Sequence, residues 1–389
     1  MATGQRAVRE LAGQGALGEL GERLDDLHAA SGAPITARRP WLTTWTSCYP
    51  DFQPWAIALD GAGRLDAVAL LGRKRVGRRT EVVGLGHGPS DQTRLAARDG
   101  EAAVELGRAV AAAVRALPRP WRLRVEQLPV DDPAAATIAS LLPGGRLIPG
   151  DGSPTTRFEH GGRSFNAYVG HNSRGVAKTM RNRIKRAGMD LEVDHIRDPE
   201  RIVAALPEVE QVHRDRDLHL VRRSDLDDGR MAAFWRSIIT ELARRGEVEL
   251  TTLRFSGRLA GYVVGVLDGT AYRLWDGRFD PEFSWFSPGR LADQSALAAA
   301  LAGERFDEFD WMRGEEEYKL RTSTDVVPAQ HLVAWSGALV RMRAESPQAT
   351  KQALRRVRDG NRVLTRAWRA YRSRWLRRRT GNRPAGPRT

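Results

Sequence analysis

One cysteine in 389 residues, Cys48, excludes an intramolecular disulfide and a cysteine-built zinc site, and suits a reducing compartment. Histidines are few, and the pair His213 and His219 lies six apart, a spacing that does not bring both onto one helix face. No H-E-x-x-H occurs, so no metal is expected. Long apolar runs are also missing: no stretch approaches the roughly 18 residues a helix needs to cross a bilayer. Met1 to Gly32 lacks the apolar centre of a signal peptide. A cytoplasmic protein is expected, with peripheral contact at the inner face of the cell membrane as the variant worth testing. Acids are scarce in one place only. From Arg343 to Thr389, 15 Lys and Arg stand against Glu345 and Asp359, which puts +13 of the chain's +14 into its last 47 residues.

The rest of the chain is close to neutral, and its pattern is globular. Leu17, Leu20, Leu24 and Leu27 have helical spacing, and Trp41 and Trp45 share a helix face. Trp55–Leu59, Leu65–Leu71 and Val82–Gly88 read as strands, Glu101–Leu117 as a helix and Trp121–Leu128 as a strand. The Pro/Gly-rich stretch 143–154 marks a boundary. Beyond it, Phe165–Arg186 predicts a cationic helix and Met231–Arg245 an amphipathic one. Val248–Phe255, Leu259–Leu267 and Thr270–Gly277 form an antiparallel meander, its second turn made by Asp268-Gly269. Pro288–Ala302 is then a helix, Phe306–Met312 a strand and Glu315–Lys319 a helical turn. Helix, antiparallel strands, helix, strand therefore occurs twice, which predicts two copies of one α+β unit.

The segments Phe279-Asp280-Pro281, Phe286-Ser287-Pro288-Gly289, Phe309-Asp310-Trp311-Met312-Arg313-Gly314 and Tyr318-Lys319, in that order, resemble the C-terminal half of GNAT-like acyltransferases of the cellulose-biosynthesis (CelD/BcsL-type) family, relatives of the Fem-type aminoacyl transferases. The cationic helix, the meander and the early Pro40-Trp41 segment fit the same pattern, and the resemblance runs from Leu17 to Trp335. It implies an α+β fold of tandem GNAT-like domains, each a mixed, mostly antiparallel sheet flanked by helices. The expected layout is a disordered 1–16, a first domain at 17–150, an acyltransferase domain at 155–342, and a basic amphipathic helix with a flexible end at 343–389. The implied activity is N-acyl transfer from acyl-CoA, as co-substrate, to an amine on a sugar, a lipid-linked carrier or a small molecule. An aminoacyl-tRNA-dependent transferase and a non-catalytic scaffold are the alternatives.

Several residues carry that chemistry, each with a plainer structural role beside it. Ser287-Pro288-Gly289 has the composition of a helix start. The same turn, with Arg290, could seat the phosphates of coenzyme A on free N–H groups, as the resemblance implies. Asp310 and Asp276 end strands and are either buried hydrogen-bonded groups or bases that deprotonate the amine. Arg313, Glu315, Tyr318 and Lys319 form a salt-bridged turn or a catalytic set. In the second reading Tyr318 protonates the leaving group, Lys319 balances oxyanion charge, and Arg313 and Glu315 contact substrate. Arg174, Lys178, Arg181 and Lys185 make a cationic stripe at helical spacing, free of acids from Gly170 to Ala187, which points to an anionic ligand. In the tail, Leu354, Val357, Leu364, Trp368, Tyr371 and Trp375 recur at 3–4 spacing, with Asn361 in one slot. Three uses compete there: an anionic membrane surface, tRNA or other RNA, and packing on a protein. His87, in a Gly-rich turn, and Cys48 read as structural.

Overall fold

The computed structural model describes residues 6–159, 165–169 and 171–337. Strand β1 (Ala7–Ala12), helices α1 (Ala16–Ala30) and α2 (Arg39–Cys48), and strands β2 (Gln53–Gly61), β3 (Arg64–Val76) and β4 (Arg79–Gly84) open the first unit. A two-residue strand β5 (Ala96–Ala97), α3 (Gly100–Ala116), β6 (Trp121–Pro129), α4 (Pro133–Leu141) and β7 (Arg146–Pro149) complete that stretch of chain. Next come β8 (Ser153–Arg157), α5 (Phe165–Tyr168), α6 (His171–Arg186), β9 (Leu191–Ile196), α7 (Pro199–His219) and α8 (Gly229–Arg244). The meander β10 (Val248–Phe255), β11 (Arg258–Asp268) and β12 (Ala271–Phe279) leads to α9 (Pro288–Ala302), β13 (Glu308–Asp310), α10 (Glu317–Leu320), β14 (Asp325–Val327) and β15 (Ala329–Trp335).

The two sheets have one topology. Their orders are β1-β2-β3-β4-β6-β15-β7, with β5 attached to β3, and β9-β10-β11-β12-β13-β8-β14. In each, among the described residues, the one parallel contact joins the strand before the long helix to the strand after it, β4 to β6 and β12 to β13. The expected tandem α+β architecture is present, with one crossover strand added. Strand β8, the first of the second stretch, sits between β13 and β14, and β15 returns from the end to sit between β6 and β7. Ala329–Trp335, assigned by sequence to the second domain, thus belongs to the first sheet. The second sheet is built from the consecutive strands β8 to β14, whereas the first is not complete without β15 from the other half.

The N-terminus also departs from expectation. Residues 7–12 were expected to be disordered, yet β1 pairs antiparallel with β2 over six positions, from Ala7↔Asp60 to Ala12↔Trp55. It is a mostly solvent-facing edge strand carrying Arg9 and Glu10, so its order comes from main-chain pairing rather than from an apolar face. The single helix expected over Phe165–Arg186 is two, α5 and α6.

Five layers result. Helices α3 and α4 cover the outer face of the first sheet, and α6 and α9 that of the second. Between the sheets lie α1, α2, α7 and α8 in one shared core. Trp41 is fully buried there, edge-on to Phe234 at 5.3 Å and to Trp275 at 5.1 Å, so an α2 side chain from the first unit is packed by the second. Burying a side chain of that size contributes roughly 3 kcal/mol, and here that gain holds the units together. Helix α8 offers Phe234, Trp235, Ile238, Ile239 and Leu242 to the same core, and Asp228 caps its first N–H groups. Among the described residues no helix is long and apolar enough to cross a membrane. The basic helix expected over 343–389 lies outside the described residues.

Candidate active site in the second unit

Strand β12 opens the site. It pairs with β13 only from Ala271↔Glu308 to Arg273↔Asp310, then runs on to Phe279 with no strand on that edge among the described residues. The chain after Asp310 turns away, because Trp311 N–H donates to the Pro154 carbonyl at 2.9 Å. The strands therefore splay into a V whose β12 side carries unpaired main-chain groups. A bulge sits inside the V. Val264 faces Asp276 and Gly265 faces Leu274, leaving Trp275 as the extra residue. Gly265 makes this possible, since a Cβ there would lie 2.0 Å from the Tyr272 hydroxyl.

Helix α9 begins beside the V. Ser287 is its N-cap in the left-handed region (φ 48°, ψ 52°), and its side chain makes no capping hydrogen bond. Pro288 is the first helical residue, so the free donors of the first turn are main-chain N–H groups from Gly289 onward. Gly289 is required by packing: a Cβ would meet Phe279 Cδ1 at 2.9 Å. Arg290 is half-buried and makes no hydrogen bond or ion pair among the described residues.

Helix α10 closes the other side. It starts at Glu317, later than expected, so Glu315 lies outside it, exposed. Lys319 is buried; its Nζ donates to the Arg313 carbonyl at 2.9 Å and pairs with Glu316 at 3.0 Å, which leaves one N–H free. Tyr318 is 45% exposed and edge-on to Trp311 at 6.4 Å. Burial, then the nearby Asp293 and Glu316 charges, keep its phenol protonated well above its ordinary range.

Asp293, on α9, was missed by sequence reasoning. Burial pushes its carboxyl up to about 7, with Lys319 and Arg290 only partly opposing. It makes no hydrogen bond or ion pair among the described residues. The available signal was that Asp293 is the only acid in the alanine-rich helix from Pro288 to Ala302.

The two carboxylates expected to act as bases are tied down, which revises that reading. Asp310 accepts from Gln92 Nε2 at 2.8 Å, Arg273 at 2.6 Å and Met312 N–H at 2.8 Å. Arg273 also pairs with Asp268, which in turn accepts from Ile35 N–H and pairs with Arg38, so Asp310 belongs to an ionic seam between the units. Arg313 joins that seam through Asp91 at 3.1 Å. Burial holds Asp91 up at about 6 despite Arg313. A cavity of about 520 Å³ lies beside the seam, lined by Asp91, Gln92, Arg273 and Asp310 among others.

Asp276 accepts from Tyr262 Oη (2.9 Å), Trp235 Nε1 (3.1 Å) and His213 Nδ1 (3.2 Å), and pairs with Arg278 at 3.1 Å. Burial alone would raise its pKa, but Arg278 and His213 hold it well below the usual carboxylate range, too low for a good base at neutral pH. Burial would likewise lower His213, yet Asp276 and Asp217 bring it up to about 9. His213 is thus a buried imidazolium bracketing β12, a role that spacing to His219 could not reveal. His87 pairs with Glu126 at 2.9 Å in the first unit, far from this chemistry. Arg174, Lys178 and Arg181 lie along α6, with Lys178 and Arg181 exposed.

Residues 171–320 match the acetyltransferase (GNAT) domain family. That stretch holds the V, α9 and α10, and with a GNAT domain there the chain is an acyltransferase enzyme. No curated protein matches the chain. Among solved structures, the chain is similar to FemX, with a TM-score of 0.58 at 10% identity over 81% of this chain and 95% of that one. It is also similar to a conserved protein of unknown function from Bacteroides thetaiotaomicron VPI-5482, with a TM-score of 0.50 at 12% identity over 80% and 97%. At such identities the likeness is one of fold.

Proposed function

We propose that the chain is an N-acyltransferase that takes its acyl group from a phosphorylated carrier, acyl-CoA, and delivers it to an amine. The observation that carries the reading is the uncapped start of α9 beside an unpaired strand edge. First-turn N–H groups and the helix dipole attract a pyrophosphate, and Arg290 adds charge. The open edge of β12 can hydrogen-bond an extended amide-bearing arm as an added strand would.

Transfer then needs three groups. The amine nitrogen bonds to the thioester carbonyl carbon, and the oxyanion collapses with cleavage of the C–S bond. Asp293, poised near neutrality, takes the amine proton; Tyr318 gives its proton to the departing thiolate; Lys319 uses its remaining N–H on developing negative charge. Asp276 and His213 position β12, and Asp310 with Arg313 fixes the units. FemX-like architecture favours a second donor, aminoacyl-tRNA, in which case the basic residues 343–389 would contact RNA. The acceptor we favour is an amine on an envelope polysaccharide precursor or lipid-linked carrier, following the cellulose-biosynthesis resemblance. Thermal-shift titration with acetyl-CoA, longer acyl-CoAs and charged tRNA tests the reading, since ligand binding raises apparent stability. Stabilisation by acyl-CoA and release of free thiol on adding an amine are expected; no change in melting temperature with any acyl-CoA would discard it.

A further inference from the structure

Helix α6 is cationic without compensation. Arg174, Lys178, Arg181 and Lys185 recur at i, i+4, i+7 and i+11, and none forms an ion pair among the described residues. Other exposed arginines, Arg201, Arg236 and Arg245 among them, do meet an acid. At 1.5 Å per residue the row spans about 16 Å along a convex face. Beside it stands Trp285, 67% exposed, the most exposed large apolar side chain among the described residues. Arg183 of α6 holds it, with the guanidinium 4.2 Å from the indole centroid and a hydrogen bond to the Trp285 carbonyl at 3.4 Å.

We propose that the face formed by α6 and Trp285 docks on an anionic lipid surface. Lysine and arginine around an exposed tryptophan match the headgroup zone of a bilayer, where the cations meet lipid phosphates and the indole sits at the interface. RNA fits less well. The deep, narrow major groove of A-form RNA does not admit a convex helix, and base stacking would need the indole free of its guanidinium. Residues 343–389 point the same way by sequence, since on a helix their 15 cations would flank an apolar seam ending in Trp368, Tyr371 and Trp375. An apolar seam has a use in lipid and none on a phosphate backbone.

The full chain is tested by co-sedimentation with phosphatidylcholine vesicles, with and without phosphatidylglycerol, over a salt series. Binding is expected only with phosphatidylglycerol and should weaken as salt rises. Arg181→Glu with Lys185→Glu should reduce partitioning about tenfold or more, and Trp285→Ala about threefold, with unchanged melting temperature. A matched reversal elsewhere, Arg78→Glu with Arg108→Glu, should change it little. The proposal is overturned if the α6 reversal binds like the parent, or if the control reversal loses as much. It is also overturned if tRNA displaces the protein from vesicles and the α6 reversal abolishes tRNA binding while sparing lipid. A failure of acyl transfer would leave these outcomes unaffected.

Discussion

The same unit was built twice here, and only the second copy is left open. In the first, the start of the long helix α3 is filled by its own side chain: Asp99 accepts from Ala102 N–H at 2.7 Å. Arg6 then bridges Asp99, Glu101 and Glu105. In the second, the matching cap is Ser287, whose side chain accepts no first-turn N–H. Asp293, six residues past that cap as Glu105 is past Asp99, has no partner among the described residues. The strands differ in the same sense. β4 runs one residue past its pairing with β6, whereas β12 runs six past its pairing with β13. The short helices complete the contrast: the second and third positions after the cap are Ala134 and Ala135 in α4 but Tyr318 and Lys319 in α10. A fold that satisfies its own polar groups is a scaffold, and one that leaves them free at a cleft can bind and catalyse.

The largest expected effect comes from making the second unit chemically like the first. Tyr318→Phe and Lys319→Met should each lower kcat about 100-fold or more while KM for the donor changes little, as steady-state kinetics with a saturating amine would read. Glu101→Gln in the first unit should leave both constants alone. Equal losses from the two units would mean that the contrast does not map onto activity.

Titration gives the next effect, because each unit buries one histidine in a helix packed between the sheets, with opposite consequences. In α1, burial lowers His28 to about 4, so it is neutral when folded. Its contribution is full above 6.5, the unfolded value, and falls away as pH drops from there toward 4. In α7, His213 is raised to about 9, so its contribution is full below 6.5 and is lost as pH rises from 6.5 to 9. A tenfold change in proton affinity is worth about 1.4 kcal/mol, so each arm amounts to about 3 kcal/mol. Denaturant melts across pH should show His213→Gln flattening the alkaline arm and His28→Gln the acid one. A parent curve that is level from pH 6.5 to 9 would contradict the buried imidazolium.

Much of this contrast was legible in sequence, and the illegible parts share a cause. The meander, α9 and the Trp41/Trp45 face followed from local periodicity and turn chemistry, which one stretch of chain specifies alone. The return of β15 to the first sheet did not, because partner choice among short strands is decided by distant chain. Asp310 and Asp276 were found as strand carboxylates, though Asp276 lies inside β12 rather than at its end, and their partners come from Gln92 and Arg273 for one and His213, Trp235 and Arg278 for the other. Spacing along a chain cannot show whether a carboxylate is satisfied. Asp293 went unnoticed for the converse reason, since its importance lies in the lack of a partner among the described residues.

The smallest effects come from exchanging the caps. Ser287→Asp copies the first unit's device into the second, where the left-handed backbone tolerates aspartate. The carboxylate would accept the first-turn N–H groups and repel phosphate, so acyl-CoA affinity should fall about tenfold by calorimetric titration. The helix itself should become slightly more stable. The reverse change, Asp99→Ala, uncaps α3 and should cost about 1 kcal/mol of stability with donor affinity unaltered. The two variants therefore separate stability from affinity, one losing the first and the other the second. If Asp99→Ala weakened acyl-CoA binding as much as Ser287→Asp does, the donor would have to be seated by the first unit, and the open turn of α9 would have no part in holding it.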